Sequence, residues 1–282
     1  NNSVFLLIKY SGIFNNKKVA IVLNLSRCYD ISFSAPIQQV KVIFPDIIFD
    51  EEIFVTAEAN THIVGHAFSN HPIIFTNRDD FKLHCRLMEW GVIPFYIKDE
   101  TAFLKQRASM LNARSERILK DEKSYWHKIR NRRCLIPITG IYEHRAIKGW
   151  KKKVPYYIQI KNEPLIFLPG LYSVAELPNL ATGEIEKRYS FTLITRTGNK
   201  LMQQIHNDGD NAGRMPLFLS QKIAEQWLQE NLNAESYENI LNYELPSEQL
   251  NYFPVFTIRT SKERPDGKLK NEFYEWEGLP DI

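Results

Sequence analysis

The chain reads as a single α+β domain, and three observations predict it. Strand-type runs rich in Val, Ile, Tyr and Phe dominate, helical patterns stand apart from them instead of alternating with each strand, and no glycine-rich phosphate loop of a nucleotide fold is present.

Residues Asn1 to Arg27 carry no initiator methionine, and Lys9, Lys17 and Lys18 interrupt their apolar runs. The basic start, unbroken apolar stretch and small-residue cleavage site of a secretory signal are missing. The segment is expected to be an upstream extension, with an added edge strand over Val19 to Leu25 as the alternative, and the functional domain is placed at 28–282. Strands are predicted at His71 to Thr76 and Lys82 to Pro94. Helices are predicted over Asp99 to Met110 and Ser115 to Ile129, so that Asn112 and Arg114 fall in the break between them and Ser115 serves as an N-cap. Arg133 to Glu143 reads as one buried strand, followed by a basic turn and a returning strand, Val154 to Ile160, which makes a hairpin. Further strands are expected at Leu165 to Tyr172, Tyr189 to Thr195 and Met215 to Leu219, with a helix at Ser220 to Leu232. No repeat, low-complexity linker or domain boundary interrupts the chain after Cys28.

With 282 residues, 44% of them hydrophobic, the chain can bury a sizeable core, and no window approaches the roughly 18 apolar residues of a membrane span. Its three cysteines, Cys28, Cys85 and Cys134, are too few and too irregular for a disulfide framework or a zinc site. A reducing, cytoplasmic setting is expected, with no metal and no cofactor. Cys85 and Cys134 sit in apolar strands and read as core. A net charge of +3 does not announce a nucleic-acid partner, but basic residues gather at Lys128 to Arg133 near Trp126 and at Lys148 to Lys153 around Trp150. Such clusters either track a phosphate backbone with aromatics for stacking, or are a solvated helix end and a hairpin tip.

Four segments hold polar residues of catalytic type inside apolar surroundings: Cys28, Asn112, Glu143 and His206. A thiol, an amide, a carboxyl and an imidazole together make a covalent site if the fold assembles them. Each also has a plain structural reading: Cys28 as a small buried hydrophobe, Asn112 as a turn residue, Glu143 as a salt-bridged strand end, His206 as a helix C-cap.

The ordered set Cys28-Tyr29-Asp30-Ile31, Trp90-Gly91-Val92-Ile93-Pro94, Asn112-Ala113-Arg114-Ser115-Glu116, Arg133-Cys134-Leu135-Ile136-Pro137, Gly140-Ile141-Tyr142-Glu143, Ile205-His206 and Arg214-Met215-Pro216 resembles the SRAP family, the SOS response-associated peptidase-like proteins. The resemblance runs from Cys28 to about Leu219. It implies a single domain with a barrel-like arrangement of antiparallel and mixed sheets and peripheral helices. It also implies recognition of abasic sites in single-stranded DNA by a monomer that joins itself to the lesion through an N-terminal cysteine. Carried over by motif, Cys28 is the nucleophile, Asn112, Glu143 and His206 are its catalytic neighbours, and Arg114 and Arg214 contact DNA. Trp90 is either core or a stacking platform. Two departures stand out: Arg27 precedes Cys28, so the peptide as written offers no free α-amine, and His144 stands where the family usually has tryptophan, which weakens stacking on DNA there. The polar loop Asn207 to Gly213 is expected to be a mobile edge near His206.

Two other activities use the same residues. One is a cysteine peptidase, acting on other chains or on its own leader, with Cys28 as nucleophile, His206 as base and Asn112 as orienting group. The other is a non-catalytic module for single-stranded nucleic acid.

Overall fold

Alternation along the strands determines how the chain closes on itself. Ile73 and Phe75, Met88 and Trp90, Cys134 and Ile136, and Phe191 and Leu193 belong to one buried cluster, while Ile74, Leu135 and Ile194, each one position out of step, belong to another. A period of two with both faces apolar means a sheet covered on both sides. The computed structural model describes residues 30–50, 60–179, 181–260 and 262–282.

The described strands are β1 Asp30–Phe33, β2 Ile48–Phe49, β3 Asn60–Val64, β4 Asn70–Thr76, β5 Leu83–Trp90, β6 Asn112–Arg114, β7 Arg133–Ile138, β8 Gly140–Arg145, β9 Val154–Ile160, β10 Ile166–Pro178, β11 Ile185–Thr197, β12 Arg214–Pro216 and β13 Leu250–Pro254. The described α-helices are α1 Val40–Ile43, α2 Glu100–Arg107, α3 Glu116–Leu119, α4 Tyr125–Lys128, α5 Lys200–Ile205, α6 Gln221–Trp227 and α7 Ala234–Leu241. Strands β11, β10, β7, β4 and β5 follow one another in a sheet, and a parallel pairing of β5 with β11 (Glu89 opposite Ser190, Trp90 opposite Phe191) closes them into a five-stranded barrel. A second sheet, in the order β13-β9-β8-β1-β3, contributes Ile31, Ile141 and Ile158 to the first cluster. The outer face of the barrel packs against α6 and α7 through Trp227, Tyr237, Ile240 and Leu241. Trp227 Nε1 donates to the carbonyls of Cys134 (3.1 Å) and Gly170 (3.3 Å), so α6 is tied to β7 and β10.

The α+β class, the barrel and the β8–β9 hairpin agree with expectation, as does α2, whose N-cap Asp99 accepts from the Ala102 amide at 3.1 Å. Several elements differ. The run from Arg133 to Glu143 is two strands in two sheets, switching at Thr139, whose amide donates to Ser32 O at 2.7 Å. Glycine is required just after the switch, because a Cβ on Gly140 would lie 2.4 Å from the Tyr157 ring. The single helix expected over Ser115 to Ile129 is two short ones, parted by a turn in which Ser124 donates to Asp121 O (2.9 Å) and then caps α4. Ser115 occupies the N-cap position of α3 but makes no side-chain cap bond. Residues Asn112–Arg114 form a strand, because β11 offers its free edge beyond the β5 pairing. Strand β12 stops at Pro216 and α6 at Trp227, both short of expectation. The possible strand at Val19 to Leu25 lies outside the described residues.

Candidate active site

Helix α5 delivers His206. Its N-cap Asn199 accepts from the Met202 amide at 3.0 Å and donates to Leu245 O at 2.9 Å, fixing the helix axis, and His206 is the first residue past the last turn. Its Nδ1 lies 2.8 Å from the carbonyl of Arg214. A carbonyl only accepts, so Nδ1 carries the proton and Nε2 is the nitrogen left for chemistry. That Nε2 is buried and has no hydrogen-bond partner among the described residues. Glu143 Oε2, from β8, stands 3.8 Å from Nδ1, and the two side chains are only 4% and 2% exposed. The helix C-cap and strand-end readings of these two residues describe where they sit but leave Nε2 unexplained.

The loop after His206 is anchored, contrary to the mobile edge expected. Gly213 N donates to His206 O at 2.6 Å, and the Asn207 side chain bridges both backbone groups of Ala146 at 2.8 and 3.0 Å. Gly213 holds φ +70°, which closes the loop onto β12.

Asn112 and Arg114 share one face of β6, which runs parallel to β11 with Asn112 opposite Leu193 and Arg114 opposite Thr195. On the other side of β11, β12 brings Pro216 opposite Thr195 and Arg214 opposite Thr197, so both arginines flank the same strand end. They differ in commitment. Arg114 is exposed, with Nη2 donating to Asn211 Oδ1 at 3.0 Å. Arg214 is half-buried and bidentate to Glu116 (3.1 Å twice), and it also donates to Thr195 O at 2.8 Å. Burial opposes charge on Glu116, but the Arg214 hydrogen bonds and attraction outweigh it and hold its pKa below the ordinary value. If Arg114 makes the phosphate contact that the family resemblance implies, Arg114→Gln lowers the log-log salt slope of single-strand binding by about 0.7. Arg214→Gln is expected to cost stability as well, measured as a lower melting temperature, because the part-buried hydrogen bond to Thr195 O goes together with the Glu116 pair.

Trp90 is a correction to the stacking-platform reading. It is 0% exposed, stacks on Phe191 at 5.9 Å, and donates through Nε1 to Leu111 O at 3.0 Å, so it supports the residue before Asn112 from inside the barrel. Trp90→Phe is expected to lower unfolding free energy by about 1–3 kcal/mol, read from the denaturant midpoint, because the Leu111 carbonyl loses a buried donor. His144 is half-buried on β8; burial pushes its pKa down to about 4, Asp30 opposes this, and Arg259, Lys153 and His62 add to the depression. It is a neutral imidazole at neutral pH and presents no broad aromatic face.

Cys28 lies outside the described residues. Strand β1 begins two residues later at Asp30, which is opposite Tyr142, the neighbour of Glu143. Asp30 is 2% exposed yet charged: burial raises its pKa, but hydrogen bonds from His62 (2.8 Å) and Arg259 and the attraction of both bring it below the ordinary value. Neither partner was found from sequence. The available signal was a carboxylate inside an apolar strand, which demands a buried cation.

Cys85 and Cys134 are buried, and burial pushes both thiols up, in keeping with core roles. The basic cluster at Lys128 to Arg133 is largely structural: Arg133 donates to the carbonyls of Trp227 (2.8 Å) and Gln229 (2.5 Å) past the end of α6, and Trp126 is buried. In the second cluster Lys153 pairs with Asp208 at 2.8 Å and Trp150 packs on Trp276 at 6.3 Å. Among the described residues no group of three or more His, Cys, Asp or Glu is set to hold a metal, and no helix is long and apolar enough to cross a membrane.

Comparison with known proteins places this geometry in context. The family model of SOS response associated peptidase (SRAP) matches residues 35–258. The abasic site processing protein YoqW of Bacillus subtilis is 29% identical over 182 residues, covering 64% of this chain and 74% of that protein. An abasic site processing protein of Saccharomyces cerevisiae is 31% identical over 142 residues, 50% of this chain and 33% of that protein. A crystal structure of a Bacteroides thetaiotaomicron protein superposes with a TM-score of 0.70 at 27% identity, covering 87% of this chain and 97% of that one.

Proposed function

The chain belongs to the SOS response associated peptidase (SRAP) family, and from that premise we propose that it processes abasic sites in single-stranded DNA by joining itself to them through Cys28. The observation that carries the reading is the buried His206–Glu143 pair with Nε2 of His206 left over, flanked at the end of β11 by Asn112, Arg114 and Arg214. The names of the relatives, abasic site processing proteins, agree in substrate.

An abasic deoxyribose opens to an aldehyde. An N-terminal cysteine offers an α-amine of pKa ~7.7–8.0 and a thiol of ~8.5, both partly deprotonated at neutral pH. The amine adds to the aldehyde carbon and water leaves, giving an imine. The thiolate then adds to the same carbon and the imine nitrogen takes a proton, closing a thiazolidine with net loss of one water. His206 Nε2 first takes up a proton from solvent and then donates it to the sugar ring oxygen as it opens, Glu143 relays the amine proton, and Asn112 holds the amine or a sugar oxygen without a change of charge. Asp30 stands two positions after Cys28, a chain length of at most about 7 Å, and is opposite Tyr142, the neighbour of Glu143. The reaction needs the bond between Arg27 and Cys28 cut. Arg114 supplies a phosphate contact, and His144 lies on the same strand as Glu143 for a lesser one.

Denaturing electrophoresis of a chain starting at Cys28 with abasic single-stranded, abasic duplex and undamaged DNA tests the proposal. An adduct with the abasic single strand is expected. No adduct, with cleavage of added peptides, would select the peptidase instead.

A further inference from the structure

Replacing a buried ion pair by apolar side chains of similar volume is often neutral or stabilising, so packing alone is a weak reason for the buried charge at the start of β1. Yet Asp30 draws partners from two other elements. His62 on β3 donates to Oδ1 at 2.8 Å, and Arg259 reaches back across 229 residues to grip both carboxylate oxygens. Arg259 is itself fixed, because its segment packs Val255 and Ile258 against Tyr142 and Tyr157, and Val255 bonds Pro155 O (2.9 Å) and Trp276 Nε1 (3.0 Å). His62 sets its edge on the Tyr142 ring at 5.4 Å, and the Tyr142 hydroxyl donates to Thr61 O. The whole cluster thus surrounds Tyr142, the residue paired with Asp30 and adjacent to Glu143.

We infer that Asp30, clamped by Arg259 and His62, is a positioning residue: it fixes the start of β1 against the Glu143 strand and so aims Cys28, with the C-terminal segment as its anchor. The inference rests on the proposed crosslinking reaction. Its physical content is direction and charge. A bidentate guanidinium and an imidazole set the carboxylate along two axes, which an apolar contact does not do. Asp30 and Arg259 also cancel each other's charge at the start of β1, two positions along the chain from Cys28. The other titratable or charged groups around the pair are His62, Tyr142 and His144, with Lys153 acting on His144.

The experiment is single-turnover crosslinking against pH at saturating abasic single-stranded DNA, in a chain starting at Cys28, with DNA affinity and melting temperature recorded for each variant. Arg259→Gln should slow crosslinking about 10-fold or more with affinity unchanged, as a misaimed nucleophile does. It leaves a carboxylate that stabilises the ammonium, so the rising limb of the rate moves up by about half a pH unit; Asp30→Asn leaves a cation and moves it down by a similar amount. The double variant returns the limb to its place while staying slow. Where Arg259→Gln does not fold, Arg259→Lys carries the test: the charge stays and the paired bonds go, so the rate falls and the limb holds. Rates that merely follow melting temperature, with limbs unmoved in both single variants, overturn the clamp. A parent chain that forms no adduct overturns the crosslinking reading and the clamp's role with it.

Discussion

Cys28→Ala, in a chain that begins at residue 28, is expected to leave no denaturation-resistant adduct with abasic single-stranded DNA, where the parent forms one in high yield. The reasoning is chemical. Alanine keeps the α-amine, so an imine still forms, but an imine alone is returned to aldehyde and amine by water. Only cysteine offers a second nucleophile on the adjacent carbon, and the ring it closes must lose two bonds to one carbon before the DNA is released. The measurement is adduct yield after heating in denaturant. An undiminished yield from the alanine variant would remove Cys28 from the mechanism, whatever the rest of the site does.

Separating the acid from the base gives the next largest effect. His206→Ala and Glu143→Gln should each slow single-turnover crosslinking by about 10² or more while DNA affinity holds, since both side chains are buried. The causes differ in sign with pH. In the proposed reaction His206 supplies a proton to a leaving oxygen, so solvent acid replaces it, and the alanine variant recovers as pH falls. Glu143 removes or relays a proton from the amine, and acid protonates that amine further, so Glu143→Gln does not recover. Rate against pH for the two variants decides this: superimposable profiles, or losses explained wholly by weaker binding, would reassign both roles.

Much of this site was legible as single polar residues in apolar runs. Glu143 in a strand of Ile and Tyr, and His206 after an apolar helix, advertise themselves because burying such groups demands a reason. The barrel strands were legible through their period of two, but their membership of sheets was not. An apolar run such as Arg133 to Glu143 says that a segment is buried; it does not say that Thr139 hands it from one sheet to another, which depends on contacts with Ser32 far away in sequence. Trp90 illustrates the same limit. Its composition fits both a core and a DNA surface, and only the Leu111 carbonyl and the Phe191 ring decide between them. The clamp was the least visible part. Arg259 sits in a polar stretch with no local pattern, and its meaning comes from Asp30 at the opposite end of the chain. The same holds for Arg145, which binds the carbonyls of Pro280 (2.6 Å) and Asp281 (2.8 Å) and so ties the end of the Glu143 strand to the last residues.

The account turns on one requirement, a free α-amine at Cys28, and intact mass spectrometry tests it most directly. Two chains, one beginning at Arg27 and one at Cys28, are incubated with the same abasic single-stranded oligonucleotide and weighed without reduction. The account predicts that the Cys28 chain gains the mass of the oligonucleotide less one water and that the Arg27 chain gains nothing until residue 27 is removed. Equal adducts on both chains would mean that the thiol acts without the amine, and the thiazolidine mechanism would be wrong.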